Sequence, residues 1–240
     1  MCMVAHQKLR CKPVAKLHMH SESAPSIMLT PNASPMKFEL DTKYKITHAW
    51  YRELLSSAQL LSQEPRAKQL QFKPDEKRLI VEIGVYEGAS TCWWSDNLLD
   101  HPDSLLISID PFTGNEEYQR EREKFPTLDS IEYIARSNAA KSKNAGKIDI
   151  RKGCSWDLFP SIAAEFNGKI DILYIDGEHT SNAVCRDIVL YAPLLRSGGA
   201  LILDDYGHED VQRGVDSALT AFGEIDTAFK TNWQLWCTKK

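Results

Sequence analysis

The chain has 240 residues, of which 42% are hydrophobic and 26% charged, enough for an ordinary core in one globular domain and too apolar for disorder throughout. Lys and Arg total 29 against 33 Asp and Glu, a net charge of −4, so no basic excess points to nucleic acid as a partner. No apolar run approaches the ~20 residues of a membrane-spanning helix, so a soluble protein without a membrane span is expected.

Residues 1–36 stand apart from the rest. Lys8, Arg10, Lys12 and Lys16 precede the first acid, Glu22, and the stretch SESAPSIMLTPNASP follows. This is the composition of a disordered tail or of an acid-poor targeting segment, and it is left out of the fold. His18 and His20 have the residue type of a metal site, but in such a tail they are expected to be ordinary histidines. The six cysteines, at 2, 11, 92, 154, 185 and 237, form no CxxC pair and no zinc-like spacing. Reduced thiols and an intracellular, cytoplasmic location are therefore expected, with organellar targeting by the tail as the alternative.

Residues 37–77 are expected to form a helical extension. Within it Trp50, Leu54, Ala58 and Leu61 recur at helical spacing, so THAWYRELLSSAQLLSQ, residues 47–63, predicts an amphipathic helix. From residue 78 the chain alternates. LIVEIG (79–84), LLISID (105–110), KIDIRKG (147–153), IDILYID (170–176) and GALILDD (199–205) are strand-like, with amphipathic segments between them. Val184, Ile188, Tyr191 and Leu195 predict a helix that Ser197-Gly198-Gly199 would stop. EIDTAFKT and NWQLWCTKK predict two antiparallel strands joined near Asn232. The whole reads as an α/β fold: a doubly wound, mostly parallel, seven-stranded sheet with a C-terminal antiparallel hairpin at one edge.

In such a sheet the polar residues after each strand collect on the carboxyl-end rim, where ligands bind. After the first strand comes EIGVYEGAST, with Gly84 for a tight turn and Gly88 to start a helix close to the sheet. The spacing is not the GxGxxG of dinucleotide enzymes. Asp110 ends the second strand, where a carboxylate can accept hydrogen bonds from a ribose diol or cap a turn before Pro111. Asp176, Gly177, Glu178 and His179 end the fourth strand abruptly, and Asp204 and Asp205 end the fifth. Acids at the ends of neighbouring strands, ~4.8 Å apart, can share one hard cation. Asp204 and Asp205 cannot both point to it from regular strand geometry, so one is expected beyond the strand end.

Taken together, VEIGVYEGAS, ISIDPF, RKGCSWDLFP, ILYIDGEH and LILDDY resemble a class I S-adenosylmethionine-dependent methyltransferase. Within that class the chain is similar to the metal-dependent O-methyltransferases, both the catechol type and the macrocin-like type. The resemblance covers roughly residues 78–218 and implies a Rossmann-like catalytic domain over 78–240. It implies that Glu82, Gly84, Tyr86, Gly88 and Ser90 surround the methionine part of S-adenosylmethionine, that Asp110 holds the ribose, and that Cys154, Ser155 and Trp156 flank adenine. It places Asp176 at both the cofactor and a Mg²⁺ ion, with Asp204 and Asp205 as further metal ligands and His179 as general base. Asp205 stands where the catechol type has Asn, and His179 where it has Lys. The implied acceptor is a hydroxylated small molecule, enclosed by the N-terminal helix and the insertion from Pro111 to Lys147; a homo-oligomer is left open. Two rival readings remain, a metal-independent N- or O-methyltransferase whose acids are structural, and a non-catalytic nucleotide-binding module.

Overall fold

The computed structural model describes residues 36–63, 70, 72, 73 and 75–240; His18, His20, Cys2 and Cys11 lie outside the described residues. The strands are β1 (Leu79–Ile83), β2 (Leu105–Asp110), β3 (Ile148–Lys152), β4 (Ile170–Ile175), β5 (Leu195–Leu203), β6 (Ile225–Lys230) and β7 (Leu235–Lys239). They form one sheet in the order β3-β2-β1-β4-β5-β7-β6. The first five are parallel, and β7 runs antiparallel to both β5 and β6, so the expected hairpin is present and lies at the edge.

The contiguous apolar runs of β1, β2 and β4 follow from burial on both faces. One face carries Ile80, Leu106, Ile172, Tyr174, Ile202 and Trp236, packed under α1 (Arg52–Ser62) and α2 (Ala89–Leu98), which bring Leu54, Trp93 and Trp94. The other carries Val81, Ile107, Leu173 and Leu201, packed against α6 (Ser181–Tyr191) and α7 (Glu209–Ala221) through Ile188 and Val215. The remaining helices are α3 (Glu116–Arg120), α4 (Ile131–Ala139) and α5 (Ser155–Phe166). β1 lies between β2 and β4, so the connections leave the centre of the sheet in opposite directions. A crevice opens at that switch point, beyond the carboxyl ends of the strands.

Two boundaries differ from the expectation. The first helix begins at Arg52, not Thr47; the Thr47 N–H and hydroxyl donate to the Glu87 carboxylate, which holds residue 47 against the turn after β1. The helix before β5 ends at Tyr191, and a single 3₁₀ turn at 192–194 leads directly into the strand. Pro193 within the apparent periodicity lacks the N–H that a longer helix requires. Ser197, Gly198 and Gly199 therefore lie inside β5, where the register jumps from Ile170↔Leu195 to Ile172↔Ala200. Glycine suits that bulge: Gly198 has φ +73, and a Cβ on Gly199 would come within 3.0 Å of the Ile170 carbonyl oxygen.

Candidate active site

The crevice is a cleft of about 800 Å³, inside the roughly 300–1,000 Å³ range of ligand sites. Its floor is the turn after β1. Gly84 has φ +93, and a Cβ there would lie 1.8 Å from the Asp176 carbonyl oxygen, so only glycine lets this turn cross the end of β4. The next two residues donate their N–H groups to Asp110 Oδ2, Val85 at 2.7 Å and Tyr86 at 3.0 Å, and Phe112 N donates to Oδ1 at 2.6 Å. Burial pushes the Asp110 carboxyl up, against these three bonds. A carboxylate has about four lone-pair sites, so Asp110 keeps one, on Oδ1, for a ligand hydroxyl.

Gly84, Tyr86 and Asp110 line the cleft, whereas Glu82, Gly88 and Ser90 stand behind its wall. Glu82 is fully buried and accepts hydroxyl bonds from Ser90 (2.5 Å), Thr91 (2.5 Å) and Ser108 (2.6 Å). Burial outweighs those bonds and raises its carboxyl to about 7. Gly88, at φ +82, begins α2 and packs against Ala135 of α4. These three residues support the turn from below.

At the far end, Cys154, Ser155 and Trp156 line the cleft where α5 begins. The Ser155 hydroxyl donates to Asp187 Oδ1 at 2.5 Å, so toward a ligand it has only an acceptor to offer. Trp156 is 44% exposed, which excludes simple core packing, and the Arg186 guanidinium lies 3.7 Å from its ring centroid. Burial raises the Asp187 carboxyl, with Ser155 and Arg186 opposing. Arg186 and Asp187 were not legible in advance because their relevance depends on α6 packing beside α5.

The acids converge as the rim argument requires. Asp176 leaves β4, Asp205 stands two residues beyond β5 at φ +54, and one ligand atom each from Asp176, His179 and Asp205 lie within 4.8 Å of one another. His179 Nε2 is 3.0 Å from Asp205 Oδ2. Asp204 takes a different position: it accepts from the Tyr174 hydroxyl, from Gln234 Nε2 at 2.8 Å and, through Oδ1, from Asp205 N at 2.9 Å. Asp204 also lines the cleft, and the acidic and imidazole ligand atoms that lie within 4.8 Å of one another among the described residues are those of Asp176, His179 and Asp205. Tyr174 also lies 3.0 Å from Asp176 Oδ2, so one phenol faces two acids. Burial, then the neighbouring carboxylates, raises both Asp176 and Asp204, and a proton or cation must compensate there. Carboxylates are the oxygen donors that Mg²⁺ or Mn²⁺ takes, so Asp176 and Asp205 fit such an ion, with the His179 imidazole beside them.

The opposite wall is aromatic. Ala49, Trp50 and Glu53 from the start of α1 line the cleft together with Tyr118 and Phe125 from the insertion, the two segments expected to enclose an acceptor. Trp50 stacks on His48 with centroids 4.4 Å apart and on Tyr118 at 5.7 Å, and Tyr118 meets Phe125 at 4.3 Å. His208 and Trp233 were missed altogether. His208 stacks on His179 at 5.6 Å and reaches Asp205 at 3.7 Å, and Trp233 packs on His208 at 5.3 Å. The HED motif at the start of α7 gave no signal of this, because its cleft position depends on the hairpin.

Residues 81–206, just over half of the chain, match the family described as methyltransferase domain. An uncharacterized protein, R132, of Acanthamoeba polyphaga mimivirus is 32% identical over 130 residues, or 52% of this chain and 50% of that protein. The chain thus matches over about half the length of this curated relative. Among solved structures, the fold is similar to the O-methyltransferase TomG of Streptomyces achromogenes, involved in tomaymycin synthesis and solved with SAM. That likeness has TM-score 0.55 and 18% identity over 79% of this chain and 86% of the other. It is similar also to an O-methyltransferase of Bacillus cereus solved with SAH, at TM-score 0.54 and 17% identity over 77% and 81%. At these identities the likeness is one of fold. No helix among the described residues is long and apolar enough to cross a membrane.

Proposed function

Because this chain belongs to the methyltransferase domain family, we propose that it transfers a methyl group from S-adenosylmethionine to a hydroxyl of a small molecule. A divalent metal held by Asp176 and Asp205 assists, and His179 is the general base. The observation that carries this reading is the gathering of Asp176, His179 and Asp205 within 4.8 Å at the cleft whose floor is the Gly84 turn. The solved structures of similar fold are O-methyltransferases with SAM or SAH, which supports this donor and an oxygen acceptor.

S-adenosylmethionine supplies an already activated methyl, and a bound divalent cation would lower the acceptor hydroxyl's pKa. In the transfer the S–CH₃ bond breaks, an O–CH₃ bond forms, S-adenosylhomocysteine is released and the hydroxyl proton leaves to a base. His179 takes that proton, and Asp205, whose Oδ2 lies 3.0 Å from its Nε2, stabilises the imidazolium formed. Asp110 offers the acceptor site on Oδ1 to a ribose hydroxyl, and Cys154, Ser155 and the Trp156–Arg186 pair wall the adenine end. The aromatic wall at Trp50, Tyr118 and Phe125 narrows the volume in which an acceptor meets the methyl and displaces water from it.

Two measurements test this. Calorimetric titration with S-adenosylhomocysteine should show binding; none would refute the donor assignment. Screening hydroxylated small molecules by mass spectrometry for a gain of one methyl group should find an acceptor whose turnover falls after prolonged chelation. Turnover intact after chelation would assign the acids a structural role.

A further inference from the structure

The turn that forms the cleft floor is tied to the segment that begins the acceptor wall, and by residues that no requirement of methyl transfer explains. Glu87 lies within the Gly84–Gly88 turn, and its side chain is buried. Both of its oxygens accept from one residue: Thr47 N–H donates to Oε2 and the Thr47 hydroxyl to Oε1, each at 2.6 Å. Asn138 of α4 makes a second tie. Its amide nitrogen donates to the Glu87 carbonyl oxygen and to the Lys45 carbonyl oxygen, both at 2.9 Å, and its side-chain oxygen accepts from Lys45 N at 2.9 Å.

Each tie is adjacent in sequence to a residue that touches the other segment again. Tyr86 reaches His48 Nδ1 with its hydroxyl at 3.3 Å, and Thr47 Oγ1 is 2.9 Å from the same nitrogen. Since the Thr47 hydroxyl donates to Glu87, it accepts from His48 Nδ1–H, which fixes the ring that stacks on Trp50. On its other side the same turn hands the Val85 and Tyr86 N–H groups to Asp110. A single five-residue turn thus joins the ribose acid to the aromatic wall.

The energetics favour movement of the two segments together. If residues 45–48 swung away, Glu87 would lose both hydroxyl and N–H donors and Asn138 two of its three bonds, and buried polar groups left unpaired are costly. Coupling between sites is reciprocal, so whatever stabilises the turn must also stabilise the segment tied to it.

We propose that Glu87 and Asn138 are positioning residues that latch the acceptor wall at His48 and Trp50 to the donor turn, so that occupancy of the donor site orders the acceptor wall. This rests on the reading of the cleft as an S-adenosylmethionine site. Hydrogen exchange by mass spectrometry on the full chain, with and without S-adenosylhomocysteine, tests it. In the wild type the ligand should slow exchange over 84–90 and also over 45–52, the latter by at least about fivefold, the lower end of measured couplings. Glu87→Leu, of similar size and unable to accept from Thr47, should keep the slowing at 84–90 and lose it at 45–52. Thr47→Val, outside the turn and of unchanged shape, should reduce it there, and Thr47→Ser should restore it. Slowing confined to 84–90 in the wild type, or wild-type slowing at 45–52 in both Glu87→Leu and Thr47→Val, would overturn the latch alone. No slowing in either segment of the wild type would overturn the donor assignment, and the latch with it.

Discussion

Replacing Glu82 by Gln tests the account of the core beneath the turn. The carboxyl is raised from 4.5 to about 7 by burial, while the unfolded chain titrates near the lower value. The sign follows from linkage: below about 4.5 both states hold the proton and Glu82 costs nothing electrostatically, whereas above about 7 the folded state must carry a buried charge. Stability contributed at this position is therefore lost as pH rises through that window. At 1.36 kcal/mol per pH unit, the loss between pH 5 and pH 8 comes to roughly 2–3 kcal/mol. Glutamine keeps the shape, and the Ser90, Thr91 and Ser108 hydroxyls can rotate to serve its amide. The variant's unfolding free energy relative to wild type should therefore rise by roughly 2–3 kcal/mol from pH 5 to pH 8, whatever its offset at pH 5. Urea denaturation of both proteins at the two pH values measures this, and titrating groups that do not feel the Glu82 charge cancel in the double difference. A difference that stays constant with pH would refute the claim that burial holds this carboxyl near neutral.

Gly84→Ala should lower the melting temperature and abolish S-adenosylhomocysteine binding by calorimetry, because its Cβ would overlap the Asp176 carbonyl at 1.8 Å on a backbone with φ +93; wild-type binding would show that the turn has room to move. Arg186→Met should weaken S-adenosylhomocysteine binding by about 2- to 30-fold, the worth of roughly 0.5–2 kcal/mol for a cation–π pair that holds Trp156 in place. His179→Ala should keep that binding and lose about 10²–10⁴-fold in turnover at neutral pH once an acceptor is known; unchanged turnover would remove it from the mechanism. Asp176→Asn should weaken Mn²⁺ binding, followed by calorimetry on chelator-treated protein, by at least the ~10–100-fold seen when even outer partners of a metal are disturbed.

The alternation of strands and helices, the edge hairpin and the rim location of the polar groups were legible in the sequence, because each depends on local periodicity and on the handedness of βα connections. The same is true of Gly84, Asp110, Asp176, His179 and Asp205, which lie at strand ends, where the chain's direction alone sets the position. Periodicity misled where one residue outweighed a pattern: Pro193 ended a helix that apolar spacing would have extended, and Glu87 holds Thr47 outside the helix predicted to include it.

What the tertiary structure alone decided is how side chains with the same local pattern divide the work. Asp204 and Asp205 are adjacent acids in one motif, yet Tyr174 and Gln234, distant in the chain, draw the first inward, and a left-handed backbone turns the second toward His179. Glu82 belongs to the same motif as Gly84 but is directed to the hydroxyls of α2 and β2, because, two residues on from Ile80, it faces the side of the sheet on which α2 packs. His208, Trp233, Arg186 and the aromatic wall enter the cleft only because helices and the hairpin close over it. Sequence fixes which way each strand delivers its residues, but hydrogen-bond partners and neighbours across the sheet are contributed by segments whose distance along the chain carries no local signal.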